Sequence, residues 1–571
     1  MLKKWGISNF KSIRNADIEL AGLNIFTGTN SSGKSSLIQS ILLIAQTLRN
    51  NMAADELALN GDFINMGFFE NISKEDIHFR FSLPEEDELN GEDRDCTLSF
   101  TNSDNQPLLN SFSFSFLSRN KYGTVDNKLH TRQIPFQIAG KRIHKSDNDF
   151  HSVKCTGVET VKEIKEIKYR NFSRFIPEVI CNIKQDKETK DKTKGFIKKY
   201  LDNEYGRYHE INDTPPEDDD YYDDVDSDES NSEPTSTEDI LPAHKMIEKI
   251  IDKYDNVIND IDIADASDQR YENVFKHYNE IIEDVCKISM ELEYTLNDGV
   301  KHKVALDIVN GLKNLREYLI KYFANSVRYL GPLRHSDSFF PASSLLGEYV
   351  GARGEYTAFV IKRYADKESD YISPPNEDSV FNIEKKRFKD ALLSWVKYFG
   401  LVDDLDVVQA GNQAYQISVK QFPNINNIDI THVGKGVGQV LPILTMCLLA
   451  ARDSTTIIEQ PEEQLHPKVQ SKLADLFVAM ALNGRQCIIE THSEYLIEQL
   501  RFRILKMSND SLHEKTKLYF AEKRDGISYY KNIGISKYAE FDKWPEDFFD
   551  ESHKIAGKFA DEAIKQDESG D

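Results

Sequence analysis

Gly28-Thr29-Asn30-Ser31-Ser32-Gly33-Lys34-Ser35 fits the pattern G-x-x-x-x-G-K-[ST] at every position. The glycines let backbone N–H groups turn inward around phosphate oxygens, and the following helix offers its positive N-terminus to the same charge. Lys34 is expected to reach the outer phosphates of ATP and Ser35 to hold Mg²⁺, with Asn30, Ser31, Ser32 and Ser36 completing the cradle. The flanks agree with that assignment. Leu23–Thr27 (LNIFT) is a short apolar run that predicts a strand. From Ser35 onward Leu37, Ile41, Ile44, Ala45 and Leu48 recur at helical spacing. Strand, glycine loop and helix in this order predict an α/β domain that binds a triphosphate.

Composition narrows the class. The chain has 571 residues, 39% of them hydrophobic and 29% charged, which fits a globular protein of several domains. No uninterrupted apolar run reaches the ~18 residues of a membrane span. The longest, Val440–Ala451, predicts a buried helix. The opening MLKKWGISNFKS lacks the apolar core of a secretion signal. The six cysteines (Cys96, Cys155, Cys181, Cys286, Cys447, Cys487) form no CxxC pair, against a disulfide framework or the usual zinc spacing. A cytoplasmic protein with no membrane contact is expected. The net charge of −24 argues against wholesale nucleic-acid binding. Fourteen acids and no Lys or Arg lie between Tyr208 and His244, however, so local basic surfaces remain open elsewhere.

Along the chain, Ile77–Leu83 and Ser111–Leu117 place an apolar residue at every second position and predict half-buried antiparallel strands. Lys184–Lys199, with seven lysines against three acids, predicts a solvated helix or loop, with a nucleic-acid contact as the minority reading. Pro215–Asp239 has too little apolar area to offset ordering entropy and is expected to be disordered. Met246–Ile261 and Val274–Val285 carry apolar stripes at helical spacing. A further helix is expected near Lys385–Phe399. Thr455–Ile458 and Cys487–Ile489 predict strands alternating with helices, the pattern of a parallel sheet. The expected divisions are an N-terminal part over 1–205, an acidic loop over 206–243, a helical insertion over 244–328 and a C-terminal part over 329–571.

Further elements follow in fixed order. His432–Gln439 (HVGKGVGQ) is a second glycine loop opening a helix. Twenty residues after Gln439 a strand ends in Glu459-Gln460-Pro461-Glu462, followed by Gln464-Leu465-His466-Pro467. Thirty-three residues beyond Glu459 lies His492, within Glu490-Thr491-His492-Ser493. This set resembles the ABC-type ATPase head: signature loop, Walker B, D-loop and switch histidine. Phrases such as Tyr329–Arg334 (YLGPLR), Gly351–Glu355 (GARGE), Glu459–Glu462 (EQPE) and Trp544–Asp550 (WPEDFFD) resemble the bacterial AAA-type subgroup related to OLD-family and SMC-like ATPases.

The resemblance implies an ABC-type P-loop head that dimerises, or forms a higher oligomer, around two ATPs. Gly436, Gly438 and Gln439 of one copy would then meet the γ-phosphate bound by the other. It implies Mg²⁺ held by Ser35 and Glu459, and a γ-phosphate sensor at His492. His466 would be a dimer contact of the D-loop. Two departures bear on turnover. Gly436 stands where the family usually has serine. Gln460 stands where it usually has the glutamate that polarises water, and a glutamine cannot accept a proton. Glu462 is the nearest alternative carboxylate, either turned into the site or capping the next helix. Slow hydrolysis is therefore expected. Arg334 and Arg353, in glycine-bearing loops, are read either as anion or interface residues or as structural ion pairs.

Two functions follow from the resemblance. In the first, the head resembles Septu-type or retron-associated ATPases and controls a separate effector, an HNH-type nuclease, in anti-phage defence. The short stretch after Ser493, with Leu518–Ala521 and Ile527–Tyr530 as expected strands, holds no expected nuclease. In the second, the chain is an SMC-like clamp on DNA or RNA, lined by Arg119–Lys145 and Lys184–Lys199. The third function, a transporter ATPase, is argued against by the 425 residues separating Lys34 from Glu459.

Overall fold

Leu23–Thr27, Thr455–Ile458 and Cys487–Ile489 are apolar without alternation, and such runs are stable where both faces of a strand are covered. In the structure, a computed structural model, they lie in neighbouring parallel strands. The structure describes residues 1–49, 56–84, 94–103, 105–125, 128–142, 150–157, 168–173, 176–181, 315–332, 334, 340–341, 347–376, 381–410, 414–420, 428–507, 511–543, 555, 557–559 and 562. They fall in two units, one of residues 1–116, 173–175 and 315–571, the other of residues 117–172 and 176–314.

The central sheet of the first unit comprises β3 (Leu23–Gly28), β11 (Val327–Leu330), β18 (Thr455–Glu459), β19 (Gln486–Glu490), β20 (Thr516–Arg524) and β21 (Ile527–Ile533). Their order is β11-β18-β19-β3-β20-β21, all parallel except β21, which returns antiparallel to β20. Every residue of β18 and β19 is buried. Register sets Glu459 beside Glu490, and Glu490 beside Phe26, at the carboxyl ends. In open parallel sheets ligands bind outside those ends. The expected strands at 455–458, 487–489, 518–521 and 527–530 are all present.

An antiparallel sheet packs nearby. Its strands in the first unit are β1 (Lys4–Phe10), β2 (Ile13–Glu19), β4 (Ile77–Leu83), β5 (Arg94–Ser103) and β6 (Gln106–Val125, through Phe116). Ile77, Phe79 and Phe81 face inward at every second position, as expected for a sheet with one covered face. Trp5 stacks on Phe81 and meets Phe79 and Phe323 edge-on or tilted. Its indole N–H donates to Ser40 Oγ at 2.8 Å, tying this sheet to the helix Lys34–Arg49. In the second unit β7 (Lys128–Arg142), β8 (Phe150–Gly157), β9 (Lys168–Ser173, through Phe172) and β10 (Ile176–Cys181) lie side by side in that order.

A smaller lobe of the first unit holds β12 (Phe340–Pro341), β15 (Asp404–Ala410), β16 (Ala414–Lys420) and β17 (Ile428–Asp429), with the pair β13 (Glu368–Ile372) and β14 (Ile383–Arg387). Here one expectation is corrected. The helix expected near Lys385 begins at Phe388, because Ile383–Arg387 pairs with β13 as a strand. That pairing is non-local and leaves no glycine or proline mark at the junction. The helix stops at Gly400 in the left-handed conformation (φ 73°), whose N–H closes on Lys397 O. The acidic segment 206–243, the lysine-rich 184–199, the apolar stripes of 246–285 and the segment 544–550 lie outside the described residues. The side chains of 119–138 also lie outside them. The chain is helical from Leu315 and ends in a π-helical turn, Ile320–Ser326, before β11. No helix among the described residues is long and apolar enough to cross a membrane.

The helices following β18 and β19, Pro467–Leu482 and Glu494–Lys506, are joined by a buried ion pair. Asp475, with no exposed surface, accepts from Arg503 Nε at 2.5 Å, from Gln499 Nε2 at 3.0 Å and from the Tyr398 hydroxyl. Removing one member of a buried pair typically costs ~3–5 kcal/mol, since the other charge is stranded. Asp475→Ala is therefore expected to lower unfolding stability by about that amount, read as an earlier midpoint in chemical denaturation. An unchanged midpoint would contradict this role.

Candidate nucleotide site

The glycine loop leaves β3 along a path that only glycine follows at two points. Gly28 has φ 138° and a Cβ there would sit 2.1 Å from Ala521 O. Gly33 has φ 103° and its Cβ would lie 2.2 Å from Ser528 Oγ. Strands β20 and β21 thus press on the loop from behind, a packing demand additional to the approach of phosphates. Tyr530 OH donates to Gly33 O at 2.6 Å on the same side. Thr29, Asn30 and Ser31 are exposed at the rim, Ser31 with φ 59°, while Ser32 is buried.

Lys34 is buried within the loop it follows. Its ammonium donates to Thr29 O at 2.8 Å and Gly28 O at 3.2 Å, with Ser32 Oγ at 3.5 Å. Burial draws its pKa down, and the nearby Glu490 and Glu462 carboxylates oppose that. Ser35 Oγ donates to Glu490, 2.9 Å from one carboxylate oxygen and 3.2 Å from the other. Glu490 and Glu459 meet across the β18–β19 register, and burial raises both pKa values. Tyr329 OH also donates to Glu459, at 2.8 Å. The phosphate loop and the ends of β18 and β19 therefore meet in one site.

The turn after β18 is strained. Gln460 has φ 45°, its N–H donating to Glu490 O at 2.8 Å. Glu462 then turns toward β19: it accepts from His492 N at 2.6 Å and from Thr491 Oγ1 at 2.8 Å, and burial raises its pKa. It does not cap the next helix. That cap is His466, whose Nδ1 accepts from Lys468 N at 3.2 Å. His492 is half-buried, and desolvation followed by the Lys34 charge lowers its pKa, favouring neutral imidazole.

The second glycine loop opens the helix Gly436–Leu449, which is buried nearly all round. Pro442 stands inside it. Gly354 (φ 73°) packs against that ring, where a Cβ would meet Pro442 Cγ at 2.7 Å. Buried Arg334 joins this helix to the turn after β18. Its guanidinium donates to Gln439 Oε1 at 3.1 Å, to Glu459 O at 2.9 Å and to Gln460 O at 3.3 Å. All of these partners are uncharged. These contacts are not the structural ion pair that one reading of Arg334 expected; they leave its buried Nε without a hydrogen-bond partner among the described residues, and the anion or interface reading is untested by them. Gly436 and Gly438 behave differently from the phosphate-loop glycines. A Cβ at Gly438 would meet nothing within 4 Å, and one at Gly436 only Leu465 Cδ2 at 3.5 Å.

Two glutamines on the phosphate-loop helix are occupied elsewhere. Gln39 accepts from Lys11 at 2.6 Å, and Gln46 is bonded to the backbone of Ala58 and Ile64. The residue that motif reading passed over is Glu490, noted only as the start of the His492 segment. Its one sequence signal is that it ends an apolar run, as Glu459 does.

Residues 1–497 match the AAA ATPase domain family. No curated protein matches the chain. Among solved structures, it is similar to the Smc head domain with an extended coiled coil bound to the C-terminal domain of ScpA, from Pyrococcus furiosus. Identity there is 10%, covering 98% of this chain and 99% of that one, with a TM-score of 0.29. The SmcHead bound to the C-winged helix domain of ScpA is 10% identical over 94% and 98% of the two chains, with a TM-score of 0.32. The SMC head domain from Thermotoga maritima is 8% identical over 93% and 98%, with a TM-score of 0.30.

Proposed function

The chain belongs to the AAA ATPase domain family, and from that premise we propose that it is an ABC-type head that binds ATP with Mg²⁺ between paired copies and hydrolyses it slowly. The observation that carries this is the convergence of Lys34 and Ser35 with the carboxyl ends of β18 and β19. Among the described residues Lys34 has only loop oxygens as hydrogen-bond partners, the kind of cradle a triphosphate oxygen enters. Ser35 and Glu459 are hard oxygen donors suited to Mg²⁺. When bound, the ion neutralises charge on the outer phosphates.

In this proposal the chain's own groups divide the remaining work. Asn30, Ser31, Ser32 and Ser36 line the triphosphate with the loop backbone. Gln460 cannot take a proton, so Glu462, fixed by Thr491 and the His492 N–H, is the candidate base toward water. Neutral His492 holds water or the γ-phosphate by a hydrogen bond. Gly436, Gly438 and the Gln439 end of the signature helix receive the partner copy's γ-phosphate. Support for pairing comes from the space around Gly438. Among the described residues nothing within 4 Å of a Cβ at Gly438 calls for glycine, whereas close approach of an anion would.

Sedimentation velocity of the full chain tests the pairing. A shift from monomer to dimer, or to a larger even assembly, is expected when a non-hydrolysable ATP analogue and Mg²⁺ are added. An identical distribution with and without nucleotide would contradict the sandwich.

We further propose that the head controls a separate effector, an HNH-type nuclease, in anti-phage defence. Support for this comes from the resemblance to Septu-type and retron-associated ATPases. Co-purification from its native operon is expected to retain a nuclease. A lone ATPase that instead binds DNA only with ATP, and with a steep salt slope, would favour the clamp.

A further inference from the structure

We infer that Glu490 is a second carboxylate partner of the divalent cation, beside Glu459 and the Ser35 hydroxyl. This inference rests on the nucleotide reading and adds to it a residue outside the glycine-loop and Walker B motifs. Three observations place Glu490 there. Register sets it level with Glu459 on the adjacent parallel strand, and side chains at one level of neighbouring strands share a face. Both of its carboxylate oxygens lie within 3.2 Å of Ser35 Oγ, the hydroxyl already assigned to the cation. It is 2% exposed, so solvent does little to separate its charge from that of Glu459.

Two buried carboxylates in contact need something positive between them. A divalent cation held by Glu459, Glu490 and Ser35 would supply that charge. A purely structural Glu490, there to accept from Ser35, would be served equally by glutamine. Magnesium is commonly held by one or two carboxylates plus the substrate's phosphates. Two carboxylates and a hydroxyl are the donors gathered here.

The test is Mn²⁺ binding to the full-length chain, followed by electron paramagnetic resonance with and without ATP. Glu490→Gln is expected to weaken Mn²⁺ binding roughly 10- to 100-fold. Glu490→Asp, which keeps the charge on a shorter stem, is expected to restore most of the affinity. Mn²⁺ affinity equal in wild type and Glu490→Gln, both with and without ATP, would overturn the inference. If ATP fails to bind the wild type while Mn²⁺ still weakens in Glu490→Gln, the carboxylate pair stands and the nucleotide reading falls.

Discussion

Lys34→Ala is expected to abolish ATP binding at micromolar nucleotide while leaving the chain folded. The ammonium is buried, and its hydrogen bonds go to Gly28 and Thr29 carbonyls and to Ser32 Oγ. Facing a triphosphate, it would exchange those neutral partners for charged oxygens, and charge-assisted bonds are about twice as strong. Truncating one partner of a buried, hydrogen-bonded charge pair costs ~2–5 kcal/mol, roughly 30- to 4,000-fold in affinity. Folding should suffer far less, because the loop path is fixed by Gly28 and Gly33 against β20 and β21. Isothermal titration with ATP, paired with circular dichroism, checks both halves. Wild-type affinity in the variant would remove Lys34 from the site.

Glu462→Gln is expected to reduce the hydrolysis rate while ATP affinity stays within a few-fold of wild type. General-base catalysis contributes typically 10²- to 10⁴-fold, and that is the loss expected in single-turnover kinetics. The amide is isosteric and can still accept from His492 N, so the turn after β18 should keep its shape. The raised pKa of Glu462 comes chiefly from burial and moves the group toward the range where a base is effective. An unchanged rate would hand the role to another group or to water alone.

Much of this site is legible in the sequence because it is local. A phosphate loop is a run of backbone demands, and Gly28–Ser35 states them without reference to any other element. Burial on both faces is equally local, which is why Thr455–Ile458 and Cys487–Ile489 read as parallel strands. What was illegible depends on register. Nothing near Glu490 says that it lies level with Glu459 or accepts from Ser35; that follows only once β18 and β19 are paired. The same holds for Arg334, whose partners Gln439, Glu459 and Gln460 are over a hundred positions away. It holds again for Ile383–Arg387, whose strand state is set by β13 rather than by its own residues. Pro461 fixes a turn but not its direction, so the sequence alone allows Glu462 two paths.

Hydrogen–deuterium exchange of the full chain with and without Mg²⁺ and ATP probes most directly whether these distant segments grip one triphosphate. Simultaneous protection of residues 28–36, 459–462 and 490–493 is predicted on adding nucleotide. Protection confined to 28–36, with the ends of β18 and β19 unchanged, would contradict it.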